Sequence, residues 1–83
     1  MREDRGLEDS VRLEEVWETL ADAAPYIQDA EWFRWKLRNL LGQNPSLKGL
    51  IEALSREIEI EKNSIRKTDL KIFLAYLKRR LQL

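Results

Sequence analysis

The chain contains neither cysteine nor histidine. Without cysteine there is no disulfide framework and no thiolate nucleophile or metal ligand. Without histidine the commonest general base, the commonest metal ligand and the natural pH switch go together. The usual nucleophile–base pairs are therefore missing, which argues against an enzyme, and no cofactor or metal site is expected. Long apolar runs are also absent. The longest, Ile72-Phe73-Leu74-Ala75-Tyr76-Leu77, falls far short of the roughly 18 residues that span a bilayer. The opening Met1-Arg2-Glu3-Asp4-Arg5 leads into charge, which reads against a signal peptide, and the lack of cysteine fits a cytoplasmic protein.

Charge is plentiful, and its distribution is uneven. The net charge is zero, yet residues 1–31 carry ten acidic and three basic side chains, whereas residues 32–83 carry five acidic and twelve basic. Such a chain can pair its own halves, stack on copies of itself, or offer a basic surface to an anionic partner. At 43% hydrophobic and 36% charged the composition is that of a folded domain. With 83 residues it forms one domain whose margin of core burial is thin.

Two prolines and three glycines divide the chain into an all-α arrangement, a compact bundle of about four short helices. Residues 1–8 read as a charged flexible lead and 9–83 as a single helical domain. The first helix is expected over 10–24, capped by Asp9 or Ser10 and ended by Pro25. Leu13, Val16, Trp17, Leu20 and Ala24 make its apolar face, with Trp17 in the core. A second helix over 30–41 is capped by Asp29, buries Phe33, Leu37, Leu40 and Leu41, and stops at a left-handed Gly42. A third over 45–61 starts from Asn44-Pro45 as cap and first residue. The alternation Ile58-Glu59-Ile60-Glu61 has the period of a strand, but no second strand candidate exists to pair with it. Asn63 and Ser64 mark a break and a new cap. The last helix, 65–82, is apolar over more than half its circumference, as for a central helix or one covered by a partner.

Several residues are candidates for binding. Trp35 projects opposite the apolar face of the second helix beside Arg38, the make-up of an interface hot spot. Trp32, on the flank of that face, is assigned to the core. Glu14, Glu18 and Asp22 recur at i, i+4 and i+8. Like charges at that spacing repel, and a basic helix or partner would relieve them. Lys67, Lys71 and Lys78 share one flank of the last helix, extended by Arg79 and Arg80, with Arg34 adding to a basic surface for phosphates or an acidic protein. Gly49 lies opposite the apolar face of the third helix, where another backbone approaches or the helix is weak.

These features point to a non-catalytic protein–protein interaction module, or a small subunit of a larger multiprotein assembly, with self-association or a protein partner. The alternative is a protein that contacts a nucleic-acid backbone through its basic flank. A helix-turn-helix is disfavoured because apolar residues dominate the would-be recognition helix. No family motif stands in the chain. By size and charge pattern it resembles the small subunits that line CRISPR effector complexes, and also death-like adaptor domains. Neither likeness rests on matched residues, so neither implies site residues.

Overall fold

A computed structural model describes residues 2–44 and 46–82, with side chains from Leu13 onward. The architecture is all-α, and the described residues contain four α-helices and no strand. Helix α1 spans Arg2–Ala23, so its backbone is helical through residues set apart above as a lead, and Asp9 and Ser10 lie inside it rather than capping it. The sequence allows this: residues 2–23 hold no proline, and Arg5/Asp9 and Glu8/Arg12 are opposite charges four apart. Pro25 ends α1 as expected, inside a 3₁₀ turn over Ala24–Tyr26.

Helix α2 spans Ala30–Gln43. Its cap is Asp29, whose side chain accepts from the Trp32 amide at 3.3 Å. It runs past Gly42, which has no positive φ, so the expected left-handed stop does not occur. Asn44 terminates it instead, through backbone and side-chain N–H bonds to the Leu40 carbonyl at 2.8 and 3.1 Å. Helix α3 spans Leu47–Ile60 with Ser46, not Asn44, as its cap. Ser46 Oγ accepts from the Gly49 amide at 3.0 Å. Pro45, expected at the first helical position, lies outside the described residues. The alternating segment stays helical through Ile60, which is exposed. Asn63 caps α4, Ser64–Leu81, by accepting from the Ile65 and Arg66 amides at 2.9 and 3.1 Å.

Helix α4 is central, packing against α1, α2 and α3, which accounts for its broad apolar surface. Leu70, Phe73, Leu74 and Leu77 meet Val16 of α1, Phe33, Leu37 and Leu40 of α2, and Leu50, Ala53 and Leu54 of α3 in one core. Phe33 and Phe73 sit 5.0 Å apart at its centre, a favourable tilted pair. The buried stripe of α1 is rotated from the expected one. Val16, Thr19 and Ala23 are buried, whereas Trp17 is 39% exposed and Ala24 is exposed. Thr19 is tolerated inside because its hydroxyl donates to the Glu15 carbonyl at 2.7 Å.

Candidate interaction surfaces

The outer face of α2 follows from its inner one. Phe33, Leu37 and Leu40 point to the core, so Glu31, Trp35, Arg38 and Gly42, spaced i, i+4, i+7 and i+11, point away. Trp35 is 57% exposed, and Arg34 and Arg38 beside it are exposed as well. Lys36 is withdrawn from that face by an ion pair with Glu57 of α3 at 2.8 Å. A Cβ placed on Gly42 would meet nothing within 4 Å. Gly49 differs, since a Cβ there would stand 3.0 Å from Ser46 Oγ and 3.5 Å from Asn44 Cβ. Its close neighbours are thus the cap of its own helix.

The seam between α1 and α4 joins the two charge halves. Arg80 Nη1 donates to Glu18 Oε1 at 3.2 Å, and its Nη2 donates to Asp22 Oδ2. Two of the three acids in the α1 row are therefore relieved within the molecule by one guanidinium, and Glu14 is exposed. Above this clamp opens a cleft of about 390 Å³ lined by Thr19, Asp22, Tyr76, Arg79 and Arg80. Arg79 lies 5.8 Å from the centre of the Tyr76 ring, and Tyr26 packs on Tyr76 at 6.0 Å.

The basic flank of α4 is divided. Lys71 and Lys78 are exposed on one side and Lys67 is half-buried. Arg80 turns to α1 instead of extending that row. A further polar centre joins α4 to α2. Asp69 is fully buried and accepts from the Gln28 and Asp29 amides at 3.0 and 2.9 Å. Arg66 lies 4.9 Å over Trp32 and 3.8 Å from Asp29 Oδ2, with its Nε buried and beyond hydrogen-bond distance of any acceptor. Trp32 is thus half-buried against the core under a guanidinium.

Comparison with protein families gives one match, over residues 13–82. The chain belongs to the MJ1579 family. No curated protein and no solved structure matches it. The matched region takes in every candidate residue named above. In this MJ1579-family protein the residues that sequence reading passed over are Asp69, Arg66, Tyr26 and Tyr76. Asp69 had a signal: it precedes Phe73 and Leu77 by four and eight residues, on the buried face. The Tyr26–Tyr76 contact had none, because the two lie fifty residues apart and meet only through packing.

Proposed function

We propose that this protein is a non-catalytic interaction module that docks a partner on the outer face of α2, as a small subunit of a larger assembly. The observation that carries the reading is Trp35, 57% exposed on that face between Arg34 and Arg38. A large amphipathic ring beside guanidinium groups is the composition of a binding hot spot. Gly42 on the same row supports it, since nothing within the molecule requires a glycine there. The two arginines favour an acidic partner surface. Docking through Glu18 and Asp22 would have to displace Arg80, so the α1 row contributes less. The setting we propose is cytoplasmic: a cysteine-free chain held by helix packing needs no oxidising compartment. No described helix is long and apolar enough to cross a membrane.

The test compares the proteins retained from native extract by the wild type, Trp35→Ala and Arg38→Glu, with helical content checked by circular dichroism. A discrete acidic partner held by the wild type and lost by both folded variants is the expected result. Retention at wild-type level by both would refute the reading.

A second reading, contact with a nucleic-acid backbone, draws on the exposure of Lys71 and Lys78 on one flank. Reversing Lys67, Lys71 and Lys78 to Glu should then abolish salt-dependent oligonucleotide binding. Unchanged affinity would eliminate that flank.

A further inference from the structure

We propose that the cleft between α1 and α4 binds a nucleobase carrying a phosphate. The inference goes beyond the docking reading and uses no residue of the α2 face.

The cleft has three chemical features. Its wall is aromatic: Tyr76 lines it, and Tyr26 backs Tyr76 at 6.0 Å with the rings inclined by 37°. That spacing leaves no room for a third ring between them, so the pair acts as one fixed platform. Tyr26 keeps 58% of its surface exposed. The second feature is a cation. Arg79 is exposed in the last turn of α4, with its guanidinium over the Tyr76 ring at 5.8 Å, and is preceded by Lys78. The third is an acceptor. Asp22 lines the cleft, and Arg80 engages its Oδ2. A carboxylate accepts through both oxygens, so Asp22 keeps capacity for a further donor. Arg80 also offsets its charge, so that it does not confront an anion as a bare carboxylate would.

These features select among ligand chemistries. A simple anion would meet Arg79 but would leave the tyrosine wall and the Asp22 acceptor unused. A simple cation would meet two guanidinium groups. An apolar ring would desolvate the charged groups and satisfy none of them. A planar ring with N–H donors and an anionic tail uses all three: the ring takes the place over Tyr76 that the exposed Arg79 now holds, the donors turn toward Asp22, and Arg79 moves onto the phosphate. Nucleobases stack on aromatic side chains, and arginine adds a cation–π component. A volume of about 390 Å³ is within the range of small-molecule sites. The nucleotide can come free or as part of a single strand, and the chemistry recognised is the same.

The test is isothermal titration of the full chain at low salt with adenosine monophosphate, adenosine, inorganic phosphate and a short oligodeoxyadenylate. Saturable binding of adenosine monophosphate is expected, with adenosine and phosphate each at least about tenfold weaker, because ring and anion act together. An oligonucleotide that binds tighter than the mononucleotide, with a steep salt dependence, assigns the source to a strand. Equal affinities assign it to the free nucleotide. Arg79→Ala should weaken binding of the mononucleotide to the level of adenosine. Tyr76→Phe should preserve binding, and Tyr76→Ala should lose it. Should Tyr76→Ala not fold, Tyr26→Ala, which removes an exposed ring, takes its place. Lys71→Glu, on the other flank, should leave the mononucleotide unaffected. Failure of both nucleotide probes to bind at millimolar concentration overturns the proposal. So does an Arg79→Ala variant that binds like the wild type, or an acidic peptide that occupies the cleft where nucleotides do not.

Discussion

Asp69 determines how α2 begins. The helix itself supplies no partner for the amides that precede it, and the Asp69 carboxylate reaches from α4 to take those of Gln28 and Asp29. Asp69→Ala would take the acceptor from two part-buried amides and empty a fully buried position, at a cost of about 2–4 kcal/mol. Asp69→Asn keeps one acceptor and turns an amide toward the second N–H, so its loss should be smaller, about 1–2 kcal/mol. Urea denaturation measures both, and a loss below about 0.5 kcal/mol for the alanine variant would contradict this role. Charge on α4 reads from sequence as solvated surface because its six basic side chains are indeed exposed or half-buried. A lone acid at the spacing of Phe73 and Leu77 is the exception, and only the arrival of the Gln28 and Asp29 amides explains it. Trp17 erred the other way. A large ring well inside an apolar stripe looks like core, but the smaller Thr19 and Ala23 fill the contact and leave it 39% exposed.

At the scale of the element, the helix ends were legible where one side chain does the capping. Asp29 and Asn63 are caps as their sequence context implies, since a short acceptor before an apolar-periodic segment has few other uses. The junction between α2 and α3 was not legible. Gly42, Asn44, Pro45 and Ser46 each offer a stop or start signal, and several phrasings of the turn satisfy the same residues. The two helical glycines now make contrasting predictions. Gly42→Ala adds a methyl into open space and should stabilise the protein by about 0.5–1 kcal/mol. Gly49→Ala gains the same helix propensity but crowds Ser46 Oγ at 3.0 Å, endangering a cap worth about 1 kcal/mol. Its net change should therefore be near zero or unfavourable. Equal gains in denaturation midpoint for the two variants would show that Ser46 moves aside freely.

At the scale of the molecule, the uneven charge resolves in part within one chain. Arg80 bridges Glu18 and Asp22 and so ties the acidic helix to the basic one. The groups are partly solvated, which limits the clamp to about 0.5–1 kcal/mol. Arg80→Ala should lower the melting temperature by a few degrees at low salt, and by less in roughly 0.5 M salt as screening weakens what was lost. A deficit independent of salt would mean that Arg80 acts through the packing of its stem. The all-α class was readable from periodicity, whereas the breadth of the apolar surface of α4 fitted a central helix and a partner-covered one alike. The pairing of α1 with α4 was not readable, because a segregated charge pattern serves contacts within a chain and between chains equally well.

The bond from Asp69 to the two amides also links distant times in folding. Forty or more residues separate donor from acceptor, so the entry to α2 stays open until the last helix has docked. Hydrogen exchange at Gln28 and Asp29 is then a clock for α4: these amides should trade their protons when the C-terminal helix lifts away, however firmly the rest of α2 is wound.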